Sequence, residues 1–210
     1  MTLITLSAPY GAGGSQVGPA VAQRLGVPFV DRAIPTSVAQ RLAVPLREAI
    51  ERDEAIGSWL TRALLSFGQV TPVLAGATPV PEHMLTDDAF RQATEQVLRE
   101  HAAGEGAVIL GRAAAIVLRE HPHALHVRLT GPEPARIEQG MRLEGVDRAA
   151  AERHVDETDH ARRDYVRHFY RCDPGEPSHY HLVIDSTAIS LDACTDLILL
   201  AAEARSDVTP

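Results

Sequence analysis

The chain contains no lysine: all 20 of its basic residues are arginine. Any anion it binds is therefore held by guanidinium groups, backbone amides or a metal, and a guanidinium fork meets phosphate in two directions where an ammonium acts as a point charge. A basic excess is also missing. The formal net charge of -8 argues against a general nucleic-acid or anionic-membrane surface, because both need positive charge to neutralise phosphate. An acidic chain that binds phosphate must focus its arginines locally. Cys172 and Cys194 are too few for a disulfide framework. No apolar run approaches the ~20 residues that a membrane-spanning helix requires, and the first strand pattern begins almost at Met1, leaving no room for a signal segment. The expectation is a protein of the reducing cytoplasm.

With 210 residues, 45% of them apolar, the chain suits a single α/β domain with a sizeable core and inserted helical pieces. Five short apolar runs read as buried strands: 3–7, 27–30, 107–110, 125–129 and 182–184. Helical patterns separate them. Gln16 to Leu25 places Val17, Val21 and Leu25 on one face, and Gly26 ends it. Thr86 suits the N-cap of a helix to about Ala103, with Phe90, Ala93, Val97 and Leu98 on its apolar face. A last helix from Ser190 to Ala204 turns Leu191, Cys194, Leu197, Ile198 and Ala201 inward. Strands alternating with helices imply a mostly parallel sheet with right-handed crossovers.

Two stretches fall outside this rhythm. Residues 32–85 hold two or three helices broken near Pro45 and Gly57, then a Gly-, Pro- and Thr-rich segment from Gly68 to Pro81, and look like an inserted acceptor-side region. Residues 147–178 begin with a highly charged helical stretch, to about His168, that promises little apolar burial. A mobile lid and a solvated surface hairpin both fit it.

The first strand empties into Ser7-Ala8-Pro9-Tyr10-Gly11-Ala12-Gly13-Gly14-Ser15 and a helix follows at once. Glycines there let the backbone wrap round phosphate oxygens while the helix start directs unpaired N–H groups at them. Gly11, Ala12, Gly13 and Gly14 are the candidate cradle, and Ser15 stands where a hydroxyl could reach Mg²⁺. Measured against G-x-x-x-x-G-K-[ST], the first glycine is Ala8 and the lysine is Gly14. An ordinary tight βα turn also fits the string.

Polar residues at the ends of other strands favour the phosphate loop, since ligands of open parallel sheets gather at the carboxyl ends of strands. Strand two ends in Asp31-Arg32, strand three in Gly111-Arg112 and strand five in Asp185-Ser186. Taken singly, Asp31 and Asp185 also read as helix caps and Arg112 as a surface residue.

The chain resembles the cytidylate kinase-like family of P-loop nucleoside monophosphate kinase relatives. The resemblance runs through Ser7 with Tyr10-Gly11-Ala12-Gly13-Gly14, Val27 to Arg32, and Val108-Ile109-Leu110-Gly111-Arg112. It continues through Arg136-Ile137, the lid-like Asp159, Arg162 and Tyr165, and Tyr180-His181-Leu182 leading to Asp185-Ser186. It implies a P-loop-type three-layer α/β/α domain with a five-stranded parallel sheet, a helical acceptor-side insertion and a lid. It also implies phosphoryl transfer from ATP, with Mg²⁺, to a nucleoside monophosphate such as CMP or dCMP. Such chemistry asks mainly for alignment and charge stabilisation. On this reading Gly11 to Ser15 cradle the donor phosphates, and Asp31, Arg32, Arg112 and Asp185 lie on the acceptor side. Arg112, Asp159, Arg162 and Arg163 serve the reaction, the last two as lid arginines. Arg136 fits either a contribution from the sheet edge or a structural ion pair.

The departures are specific. The family pattern Ser-Arg-Glu-Tyr-Gly-Ser-Gly-Gly has an arginine and an acid where this chain has Ala8 and Pro9, true cytidylate kinases carry an acid where Ala113 stands, and strand three ends in Leu110 without a Walker B aspartate. These favour a non-catalytic nucleotide sensor, whereas Arg112, Asp159, Arg162 and Asp185 favour an enzyme. A kinase for another small acceptor stays open. Ten histidines include His121-Pro-His123 and His179-Tyr-His181, with no complete zinc set. Trp59 and Phe67 read as small-core anchors; Tyr165, Phe169 and Tyr170 suit either base stacking or packing of the lid.

Overall fold

The computed structural model of the chain describes residues 2–31 and 87–208. Five strands form one parallel sheet: β1 (Thr2–Ser7), β2 (Phe29–Val30), β3 (Gly106–Leu110), β4 (Ala124–Thr130) and β5 (Leu182–Asp185). Their order is β2-β3-β1-β4-β5. Strand β1 therefore lies in the middle, with Leu3 level with Ala107 on one side and Ala124 on the other. All five expected strands are present. The second is shorter than its apolar run, because Pro28 has no N–H for the ladder and contributes only its carbonyl, which accepts from the Val108 N–H.

Helix α1 (Gly14–Leu25) follows β1, and α2 (Asp87–Ala102) precedes β3. Further along are α3 (Ala114–Val117), α4 (Glu133–Glu144), α5 (Arg148–Tyr170) and α6 (Leu191–Val208). Side chains alternate along a strand, so the sheet builds a core on each face. On one face Ile4, Leu6, Val127 and Leu129 pack with Val17 and Val21 of α1 and Ile198 of α6. On the other, Leu3, Ile109 and Ala124 pack with Val97 and Leu98 of α2 and Ala114 of α3. This is the expected three-layer α/β/α arrangement. Among the described residues no helix is long and apolar enough to cross a membrane.

Two expectations are corrected, and one helix was not expected. The stretch beginning at Asp147 is neither a hairpin nor wholly solvated: it is one 23-residue helix, capped by the Asp147 carboxylate on the Ala150 N–H. It buries Ala151, Val155, Tyr165 and Val166, because its few apolar residues are spaced to meet α4 and the body of the domain. Helix α4 had no place in the sequence reading, where only Arg136-Ile137 was noted. Leu197 does not face inward and is 42% exposed. The buried arc of α6 runs through Cys194, Thr195, Ile198 and Ala202, which leaves Leu197 roughly 100° from its centre at 3.6 residues per turn. The expected helices of 32–67, the segment 68–81, Trp59, Phe67, Arg32 and the Thr86 cap lie outside the described residues.

Candidate phosphate site

The loop between β1 and α1 is built for close approach. Gly11 and Gly13 have φ of 74° and 76°, a region that costs other residues about 1–2 kcal/mol. A Cβ at Gly11 would lie 2.0 Å from the Arg136 carbonyl oxygen. The Gly13 carbonyl accepts from the N–H groups of Gln16 and Val17, starting the helix. Among the described residues, the N–H groups of Gly11, Gly13, Gly14 and Ser15 make no hydrogen bond, and all four residues line one cavity. At the head of a 12-residue helix, these donors and the helix dipole form an anion cradle. Ala12 takes a different part. Its methyl is fully buried in the core and its amide closes a turn onto the Pro9 carbonyl.

The loop's carbonyls are tied back by four side chains, from α4, α5 and the segment after β5. Arg162 of α5 donates to the Ala8 carbonyl at 2.9 Å, and Arg136 of α4 to that of Tyr10 at 2.7 Å. Gln139 of α4 donates to the Gly11 carbonyl at 3.0 Å, and Ser186, after β5, to that of Ala12 at 2.8 Å. Holding the oxygens outward turns the neighbouring amides toward the cavity. Asp159 completes the frame: one carboxylate oxygen accepts from the Tyr10 N–H at 2.8 Å and the other from Arg136 at 2.7 Å. The Arg136–Asp159 pair is nine-tenths buried on both sides. Of the two readings of Arg136, the structural ion pair is the one observed.

Both departures from the lysine-bearing signature meet at one point. A Cβ on Gly14 would lie 2.6 Å from the Ala8 methyl and 3.1 Å from Leu110 Cδ1. The methyl at position 8 thus occupies the space that any side chain at position 14 would need. A lysine there would force the Ala8 backbone to shift.

The cavity, of about 1040 Å³, is lined by the loop, by Asp31 and Arg112, and by Asp159, Arg162 and Arg163 of α5. Arg112 is 4% exposed, so it is not a surface residue. Gly111, Arg112 and Ala113 all have positive φ, at 75°, 60° and 53°, and two consecutive non-glycine residues in that region mark stored strain of the kind that clusters at functional sites. Burial pushes the Arg112 guanidinium down to about 10, opposed by the charges of Asp31 and Tyr165, while Arg162 adds to the lowering. It remains protonated at neutral pH. Burial likewise lowers Arg162, opposed by Asp159 and Asp31. Tyr165 is 3% exposed, and its ring lies 4.9 Å from that of Phe169, one turn further along the same helix.

One cavity therefore gathers Gly11, Gly13, Gly14, Ser15, Asp31, Arg112, Asp159, Arg162 and Arg163. Asp185 stands apart from it. Its exposed carboxylate accepts from the Thr187 N–H and hydroxyl at 3.0 and 2.6 Å, bonds that hold it below the usual carboxylate range. It closes a turn. Arg128, Gln139 and the turn at Asp173 also belong to the site, and sequence reading missed them. Arg128 carried a signal: a lone charge inside the buried run of β4, where an apolar pattern leaves no bland place for it.

A family model described as the cytidylate kinase-like family matches residues 3–188. The chain belongs to the cytidylate kinase-like family. Its fold is the α/β P-loop kinase fold. A solved structure of an uncharacterized protein from Eubacterium ventriosum is similar over 97% of this chain and 99% of its own, at 18% identity and a TM-score of 0.64. Shikimate kinase from Acinetobacter baumannii, in complex with shikimate, covers 97% and 94% of the two chains at 17% identity and TM-score 0.51. A gluconokinase from Sinorhizobium meliloti covers 97% and 92% at 16% identity and TM-score 0.51. At such identities these likenesses establish the fold. A uronate isomerase from Corynebacterium glutamicum is 27% identical over 147 residues; the match takes in 70% of this chain but only 27% of that protein.

Proposed function

We propose that this member of the cytidylate kinase-like family transfers the γ-phosphoryl group of ATP to a nucleoside monophosphate of the CMP or dCMP type. The observation that carries the reading is the set of four unpaired loop amides opening into the cavity that Arg112 and Arg162 also line. An oxygen of the acceptor phosphate would attack the γ-phosphorus while the bond to the β–γ bridging oxygen breaks and ADP leaves. No proton needs to be abstracted, so the protein's task is alignment and neutralisation of charge. The loop amides would hold the donor phosphates, and Asp31 and Arg112 the acceptor. Arg162 and Arg163 would approach the transferring group from α5. The cradle fits phosphate in shape and in donors. Mg²⁺, when bound, supplies charge neutralisation. Ser15, whose hydroxyl stands in the first turn of α1, is the residue that would hold it alongside the nucleotide's own oxygens.

A second reading draws on one specific observation. Asp159 and Arg162, both assigned to the reaction, are engaged with the loop backbone at Tyr10 and Ala8. That arrangement also suits a protein that binds nucleotide without turning it over. Incubation with Mg-ATP and a panel of nucleoside monophosphates, extended to small sugar acids, separates the readings when diphosphate formation and thermal shifts are followed together. Turnover of CMP or dCMP supports the kinase; binding without turnover of any acceptor defeats it in favour of a sensor. Absence of any shift with ATP or GTP defeats both.

A further inference from the structure

Arg128, Arg163 and Arg167 line the cavity together with the Asp173 carboxylate, which Arg167 contacts directly. Arg128 of β4 donates through Nη1 to the Ser7 hydroxyl at 3.2 Å and to the Pro174 carbonyl at 2.9 Å. Its guanidinium lies 5.6 Å from the centre of the Tyr180 ring, and the Tyr180 hydroxyl donates to the same Pro174 carbonyl at 2.7 Å. Among the described residues, Nε and Nη2 of Arg128 take no partner. Arg167, near the end of α5, sits 3.6 Å from the Asp173 carboxylate. Arg163 stands one helical turn before Arg167 and lines the same cavity, as do Arg128, Arg167 and Asp173. Asp173 is held below the usual carboxylate range first by the Gly175 N–H and then by the charges of Arg167, Arg163 and Arg128. Three guanidinium groups against one carboxylate leave an excess of positive charge, in a chain whose formal net charge is -8. Of the three, the proposed phosphoryl transfer makes use of Arg163 alone.

We propose that Arg128, Arg163 and Arg167 form a second anion subsite of the cavity, in which the chain's own Asp173 stands in for a phosphate or carboxylate group of the bound small molecule. The proposal rests on reading the cavity as the substrate site, and it adds that this substrate carries an anionic group beyond the one on the loop amides. Ser7, the last residue of β1, bonds Arg128 and leads directly into the loop, so the two anion sites adjoin and one molecule can reach both. Asp173 belongs to a short turn after the helix cap at Arg171 and is about half exposed. Such a carboxylate can swing out without disturbing the core. Arginine suits the task because its planar fork takes carboxylate and phosphate alike.

The test needs no turnover. Inorganic phosphate, and acetate in parallel, are titrated by calorimetry into the full chain, into Asp173→Asn, and into Asp173→Asn combined with Arg128→Gln or with Arg163→Gln. Circular dichroism confirms that each is folded. Any phosphate bound on the loop amides is common to all four proteins and cancels. Removing the internal competitor is expected to tighten phosphate binding roughly fivefold, in line with the strength of an exposed ion pair. Either arginine substitution should return it to the starting value. A gain for phosphate alone, without acetate, assigns the subsite to phosphate. Competition then identifies the source: loss of the added affinity under ATP places a donor phosphate there, and loss under CMP an acceptor group. Asp173→Asn binding neither anion more tightly than the parent, or a gain that survives both arginine substitutions, would each overturn the proposal. A protein inactive as a kinase can pass this test and an active one can fail it, so the two readings stand or fall separately.

Discussion

Restoring lysine to the phosphate loop should fail unless the residue at position 8 is changed with it. In Gly14→Lys the new Cβ would fall 2.6 Å from the Ala8 methyl and 3.1 Å from Leu110 Cδ1. The first contact is more than an ångström inside van der Waals distance; the second is slightly tight. Ala8 cannot retreat easily, because Arg162 holds its carbonyl at 2.9 Å and the Cβ is fixed to that backbone. Leu110 is different, since a terminal methyl group can rotate aside. The single substitution should therefore cost about 2–3 kcal/mol, the upper part of the overpacking range. Ala8→Gly alone should cost about 1 kcal/mol through one lost methyl and a looser backbone. In the double variant the 2.6 Å overlap is gone, so it should be more stable than the sum of the singles predicts by about 1–2 kcal/mol. Urea unfolding of all four proteins measures the coupling. Additivity within about 0.5 kcal/mol would refute the claim that the two departures from the motif are one packing event. ATP affinity gives a second readout: the double variant, with an ammonium at last beside the cradle, should bind more tightly than either single.

Acidification should remove stability through His126, which is buried with its Nδ1 2.7 Å from the Thr5 hydroxyl and its ring stacked 4.8 Å from His181. Burial, with the charges of His181 and Arg205, lowers it from 6.5 to about 4. The unfolded chain then binds the proton more readily, so the contribution is intact above pH 6.5 and lost toward pH 4. The gap is worth about 3 kcal/mol at most. Denaturant midpoints between pH 7.5 and 4 should fall less steeply in His126→Gln, and equal slopes would count against this. Asp159→Asn leaves the buried Arg136 charge uncompensated and should cost roughly 3–5 kcal/mol, read from thermal or urea melts; a loss under 1 kcal/mol would show that the pair does not hold the loop. Arg112→Ala should weaken use of the acceptor while leaving ATP binding largely intact. Equal loss of both would make Arg112 structural or donor-side.

The sheet was legible because each buried strand is a short apolar run with a breaker after it, and burial on both faces needs no alternation to be seen. Helix α4 was not, since Glu133, Glu138, Gln139 and Gly140 dilute its apolar stripe to little more than Ile137 and Met141. Its hold on the fold comes from Arg136 and Gln139, which bond loop carbonyls. The charged stretch of α5 was misjudged for a related reason: four buried residues among the described side chains of the helix suffice when two of the polar ones, Asp159 and Arg162, are themselves bonded inward. Sequence pattern records apolar burial well and records polar tethering hardly at all. Asp185 shows the converse. A carboxylate at the end of a strand looked chemical by position, but the Thr187 two residues later engages it. Only the local turn decides between the two.

The tethers also bear on how the site can work. Asp159 and Arg162 lie three residues apart, on one face of α5, and between them grip the loop at Tyr10 and Ala8. The position of α5 and the shape of the anion cradle are thus set by the same bonds. For Arg162 to reach a transferring phosphate it must release the Ala8 carbonyl, whereas Asp159 can keep Tyr10 and Arg136 throughout. On the proposed reading that asymmetry gives different duties to two residues the sequence pattern presents together: Asp159 would keep the cradle in shape, and Arg162 would exchange a backbone carbonyl for a phosphate. In a loop whose position 14 is crowded by the Ala8 methyl, that reading takes the cation from α5.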